Sequence, residues 1–223
     1  MASQAAGPGT TPSLPPQRAE RAALCNLFER LGPKAPTLCE GWKTVDLAAH
    51  LVVRERNPLA GPGLVLGGPF AALTARIMAR TVARRSYEQL VARVRSGPPP
   101  WTAPFDALIN LIEYFVHHED VRRGSGDSTP RQEAEIADIE VALWRAVERG
   151  ARLMTRSVKG IGLDLVSSTG PAVTARAGSP RATITGRPGE IVLYLSGRRS
   201  AAHVELGGAP EAVAVLREAR FGL

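Results

Sequence analysis

With 223 residues, 44% of them hydrophobic, the chain can bury a core of its own as one large domain or two small ones, and it should fold alone. Two cysteines, Cys25 and Cys39, are too few for a disulfide framework and suggest free thiols in a reducing compartment. The 28 Lys and Arg, nearly all of them Arg, against 21 Asp and Glu give a net charge of +7, which attracts anionic partners in general without naming one.

The opening MASQAAGPGTTPSLPPQR has no charged start followed by an apolar core, so it does not read as a secretory signal. Its Pro, Gly, Ser and Thr predict a disordered lead-in over residues 1–16, and the protein is expected in the cytoplasm. Apolar residues at helical spacing, stopped by Gly32-Pro33, predict a first helix over 17–32. A second runs from Thr44, read as its N-cap, to about Arg56, with Asp46 in the first turn where it suits the helix dipole. The uncharged stretch 58–75 approaches membrane length, but its prolines and glycines suit a buried or lid-like loop and argue against insertion. Residues 70–96 read as one long basic helix, and 105–123 as a helix closed by Gly124. Four helices joined by loops suggest an antiparallel bundle, and 131–155 reads as a fifth helical stretch. From about 160, strands are expected at IGLDLVSS, AVTARA, RATITG and AHVELGG, with helices over 187–198 and 209–220. The predicted architecture is therefore α plus α+β: a helical bundle over 17–156 and a smaller α+β domain over 157–223.

The chemistry concentrates in EYFVHHEDVRR (113–123). Glu113 and His117 are four apart and share a helix face, Asp120 continues that stripe, and His118 points roughly 100° away. The helix is apolar nearly all round apart from Asn110 and Glu113, so a carboxylate there needs a partner. His50, in DLAAHLVV, offers one, with Asp46 one turn before it and Arg54 one turn after. A tetrahedral metal site with one open position takes three protein ligands, and His50, Glu113 and His117 supply a His₂Glu set from two facing helices. Asp46 and Asp120 are then candidates for orienting the imidazoles. The competing reading is a solvated ion pair, because Glu and His at this spacing are common on exposed helices. His118 reads as a surface or helix-end histidine, His203 as structural, and both cysteines as small buried residues. Arg54, Arg56 and Arg122 are candidate anion contacts near the metal, against surface ion pairing as the alternative. Arg76, Arg80 and Arg84 form a stripe able to touch phosphates, but with few aromatics for stacking and no reading motif a solvated outer face is preferred.

TLCEGWKTVDLAAHL (37–51), together with the Glu-x₃-His-x₂-Asp of EYFVHHED, resembles the mycothiol-dependent maleylpyruvate isomerase family of the DinB-like superfamily. ATITGRPGEIVLYLSGR resembles that family's second, sterol-carrier-like α+β domain, so the resemblance covers most of the chain from about residue 17. It implies a four-helix bundle that binds a divalent metal, usually zinc, through a histidine of the second helix and the Glu-x₃-His of a later one. Those roles fall on His50, Glu113 and His117. It implies too that the small thiol mycothiol occupies the open metal position as its thiolate and attacks an electrophilic substrate, for cis–trans isomerisation or S-transfer. The expected function is a zinc-dependent, mycothiol-using isomerase or transferase. Its rivals are a non-enzymatic metal-binding regulatory or interaction protein and, further off, an Arg-driven nucleic-acid binder; a membrane partner is not expected.

Overall fold

The computed structural model describes residues 14–57, 69–99, 107–168 and 170–222, with the side chains of 69–71 and 107–109 left aside. Most of the expected lead-in over 1–16 and most of the expected lid-like loop lie outside these residues. Within them eight helices and four strands follow one another: α1 (Pro16–Leu31), α2 (Thr44–Arg56), α3 (Pro69–Ala83), α4 (Tyr87–Ser96), α5 (Ala107–Arg122), α6 (Glu133–Met154), β1 (Gly162–Ser167), β2 (Ala172–Arg176), β3 (Arg181–Gly186), α7 (Pro188–Leu195), β4 (Val204–Gly208) and α8 (Pro210–Glu218).

Local sequence accounts for the helix ends. α1 opens on Pro16, where a missing N–H costs nothing, and stops at Gly32, whose N–H still donates to the Phe28 carbonyl while its φ of 73° turns the following chain out of the helix. Thr44 is the first helical residue of α2 and not its cap. Lys43 takes the cap position, and Asp46 Oδ2 accepts from its backbone N–H at 2.9 Å. The stretch expected as one helix over 70–96 is two. Ser86 adopts an extended backbone and caps α4: its Oγ accepts from Gln89 N at 3.3 Å while Gln89 Oε1 accepts from Ser86 N at 3.1 Å. This reciprocal pair satisfies two end donors, so the chain gains by breaking at Ser86.

The strands form one sheet in the order β2-β1-β3-β4, with β1 and β3 parallel and the outer pairs antiparallel. Alternation sets its faces: Leu163, Leu165, Ala182 and Ile184 are buried, while Asp164, Thr183 and Thr185 look the other way. α6 packs against β2, and α7 and α8 against β3 and β4.

Two apolar cores result, and α5 belongs to both. Tyr114 and Val121 join Leu24, Phe28, Leu47, Leu51, Leu90 and Val94 from α1, α2 and α4. Leu111, Phe115 and Val116, on the other side of α5, join Leu143 and Val147 of α6, Leu163 and Ile184 of the sheet, and Ile191 and Leu195 of α7. Fully burying each such side chain contributes about 1.5–3 kcal/mol. The contact is close enough that a Cβ on Gly189 would stand 2.6 Å from the Phe115 ring, so only glycine fits there.

Candidate metal centre

His50 lies on α2 among Leu47, Ala49 and Leu51, all buried, so the helix turns its imidazole inward toward α5. There it meets His117: the two rings stand 5.1 Å apart between centroids, at 75° to one another. Glu113 lies one turn before His117, its Oε2 3.4 Å from His117 Nε2. One ligand atom from each of His50, Glu113 and His117 falls within 4.8 Å of the others. The structure thus brings together the three residues singled out in the sequence. Trp42 closes the other side of His50, with ring centroids 5.2 Å apart.

Each member is held electrostatically. Asp120 Oδ2 lies 2.9 Å from His117 Nδ1, which fixes the ring and leaves Nε2 on the Glu113 side. Burial pushes the His117 pKa down, but Asp120, Cys39 and Glu113 more than reverse this, and the net displacement is well upward. His50 goes the other way: burial and the neighbouring His117 bring it to about 3, so its imidazole is neutral and able to donate a lone pair at physiological pH. Its Nδ1 is sealed from solvent and has no hydrogen-bond partner. Glu113 would be raised by burial, yet His117 and Arg54 hold it at about 2. Arg54 Nε sits 3.3 Å from Glu113 Oε2 while its Nη1 donates to Asn110 Oδ1 at 2.7 Å.

The remaining expectations fare differently. Asp46 is occupied with the Lys43 N–H at the start of α2 and does not orient an imidazole. Arg122 turns to Glu119 and to the Thr129 carbonyl, and Arg56 to Ser96 Oγ and the Gly97 carbonyl. His118 is not a surface residue: it is buried, with Nδ1 2.9 Å from Glu20 Oε2. Arg131 binds that same Glu20 and also Glu119, and Arg123 joins Glu119 to Glu190 of α7. Because α5 is covered on all sides, its polar residues must be paired inside the protein.

Two residues at the centre were not assigned to it from sequence. Cys39, in the loop before α2, directs its Sγ at Asp120 Oδ2 over 3.2 Å. Arg198, just after α7, donates to both oxygens of Asp120, at 2.9 and 2.7 Å. Burial would raise Asp120, but His117 and Arg198 keep it well below the usual carboxylate range. The Leu38 N–H also donates to the Asp120 carbonyl, which pins the Cys39 loop to α5. Gly124 permits this approach, since a Cβ there would meet the Pro36 carbonyl oxygen at 2.3 Å. The one sequence signal for Arg198 is its place in SGR, a turn signal just past the end of α7 at Leu195.

No family model matches the sequence, and no curated protein is similar to it at a significant level. Among solved structures, a crystal structure of a mutant of the mycothiol-dependent maleylpyruvate isomerase shares 16% identity, covering 88% of this chain and 92% of that one, with a TM-score of 0.58. A crystal structure of the isomerase itself shares 17% identity over the same spans, with a TM-score of 0.56. At these identities the likeness is one of overall fold: a mixed α and β structure, with eight helices and a four-stranded sheet among the described residues, similar to that isomerase.

Proposed function

We propose that the chain is a cytoplasmic metal-dependent enzyme that uses the low-molecular-weight thiol mycothiol as cosubstrate, for S-transfer to an electrophile or for its cis–trans isomerisation. The observation that carries this reading is the meeting of His50 with Glu113 and His117 across two helices, with His50 Nδ1 buried and unpartnered. A sealed imidazole nitrogen with no hydrogen bond is costly unless something fills its lone pair, and a His₂Glu set is a donor set that zinc accepts. The residues present therefore fit a divalent cation, and the fold likeness to a mycothiol-dependent enzyme supplies the choice of thiol.

In this reading His50, Glu113 and His117 hold the metal. A zinc ion there would supply Lewis acidity and favour the thiolate form of a bound thiol. Asp120 keeps the His117 proton on Nδ1 and so presents Nε2 to the cation, a common arrangement for ligand histidines. Arg54 restrains Glu113 and is the cation best placed to receive an anionic group of cosubstrate or substrate at the partly open side. Trp42 shields His50 from water. Arg122, bound to Glu119, is not carried forward as an anion contact.

The test is elemental mass spectrometry of the purified protein beside its His50→Ala variant. About one zinc per chain is expected, lost in the variant, followed by thiol binding that requires the metal. No metal in either protein, with the fold intact, would refute the reading.

A further inference from the structure

His117 stands between two sets of donors, one on each ring nitrogen. Nε2 lies on the Glu113 side, whereas Nδ1 and Cys39 Sγ both approach Asp120 Oδ2, at 2.9 and 3.2 Å. One ligand atom from each of Cys39, His117 and Asp120 falls within 4.8 Å of the others, a second constellation that shares His117 with the first. We infer that Cys39, His117 and Asp120 form a second cation site, suited to soft and borderline divalent ions such as cadmium and zinc and closed to magnesium and calcium.

The donor chemistry sets that selectivity. A thiolate sulfur, an imidazole nitrogen and one carboxylate oxygen favour thiophilic ions, whereas magnesium and calcium demand shells of oxygen. The geometry needs little adjustment. Bonds of about 2.0–2.3 Å at tetrahedral angles separate ligand atoms by about 3.3–3.6 Å, so the Asp120 oxygen has to draw back from its two neighbours by only about half an ångström.

Arg198 now neutralises Asp120, and its Nη2 also lies 3.5 Å from Cys39 Sγ, so the guanidinium stands where positive charge is wanted. Its side chain is partly exposed and borders a cavity of about 280 Å³ that Cys39, Gly197 and Ser200 also line. The cavity provides both the space into which Arg198 can withdraw and the path by which an ion reaches Cys39, which a working metal site requires. On loading with the His50 set empty, the Cys39 thiol and His117 Nδ1 each release a proton to solvent, and the His117 ring stays neutral with its remaining proton on Nε2. One neutral imidazole serves one set at a time, so ions on the two sides compete.

The experiment titrates the metal-free full-length chain with cadmium chloride and follows the ultraviolet thiolate-to-cadmium charge-transfer band. Wild type is expected to saturate at one equivalent, His50→Ala to keep the band, and Cys39→Ser and Cys39→Ala to lose it, with circular dichroism checking that each variant is folded. Zinc should displace cadmium and magnesium should not. Cys25 is fully buried, its thiol pushed up to about 12 by burial, and it should add no signal. Absence of a band in wild type, or a band undiminished in both folded Cys39 variants, overturns the inference. The result is separable from the thiol-enzyme reading: zinc that depends on His50 without any cadmium band sinks only this site, and a Cys39-dependent band without His50-dependent zinc sinks only the other.

Discussion

Replacing Arg123 by methionine tests whether the charges buried around α5 hold the protein together. The Arg123 side chain is 1% exposed and donates to Glu119 Oε2 at 2.6 Å, to Glu190 at 2.6 and 3.1 Å, and to the Ala201 carbonyl at 2.5 Å. Removing one partner of a buried ion pair costs about 3–5 kcal/mol, because the other charge stays behind without compensation. Glu119 retains Arg122 and Arg131, so the penalty falls mainly on Glu190, whose remaining donor is the His203 N–H. The lower end, about 3 kcal/mol, is therefore expected. For a chain of this size each kcal/mol moves the melting temperature by about 2–4 °C, so Arg123→Met should melt about 6–12 °C lower. Thermal and urea unfolding of the metal-free protein, followed by circular dichroism, measures this directly. Adding Glu190→Gln should recover part of the loss by removing the stranded charge. A drop below about 1 kcal/mol, the usual scale of an exposed pair, would refute the reasoning. Arg181→Ala is the internal control: its pair with Asp164 has Arg181 43% exposed, and its removal should leave the melting temperature nearly unchanged.

His117→Ala should lose bound metal, whereas His118→Ala should keep it and be destabilised because buried Glu20 loses one of its two partners and keeps only Arg131; metal analysis beside melting curves separates the two, and total loss of metal in the second variant would contradict the assignment. Saturating zinc at about 100 times its dissociation constant should stabilise wild type by about 2.7 kcal/mol, and this increment should vanish in His50→Ala. Gly124→Ala should weaken metal retention as well as stability, since the added methyl pushes on the backbone of the loop that carries Cys39 and Trp42. Acid should unfold the metal-free chain in two stages. As pH falls from 6.5 towards 3 the unfolded chain protonates His50 before the folded one does, so stability drops across that window; Glu113, held at about 2, adds a further loss below 4.5. His117, raised, works oppositely and withdraws stability as pH climbs above 6.5. Urea titrations at stepped pH check this, and an unchanged acid-side slope in His50→Ala would contradict it.

Features written in local spacing were legible in the sequence. The i, i+4 relation of Glu113 to His117 places both on one face of α5, and apolar neighbours turn His50 of α2 toward them, so the donor set follows from two short motifs. The break at Ser86 is also local: Ser-x-x-Gln is a capping signal, set inside a continuous run of basic and apolar residues that by itself suits one long helix. What escaped depends on contacts distant in the chain. His118 is buried because Glu20 and Arg131 close over it, and neither adjoins it in sequence. Arg198 reaches Asp120 from the segment between α7 and β4, 78 residues away along the chain. Asp46 was read as a partner for histidine because it lies one turn from His50, but the unsatisfied N–H at the helix start is nearer and claims it.

That α5 is common to both cores bears on how the protein can be divided. Excising the segment after residue 156 would strip the cover from Leu111, Phe115 and Val116 on α5 and from Leu143 and Val147 on α6, laying bare a broad sticky surface. The excised sheet would keep α7 and α8 but lose the side chains of α5 and α6 that complete the core around Leu163 and Ile184. Neither fragment is then a soluble miniature of the whole, and co-expressing the two should rescue what each alone forfeits.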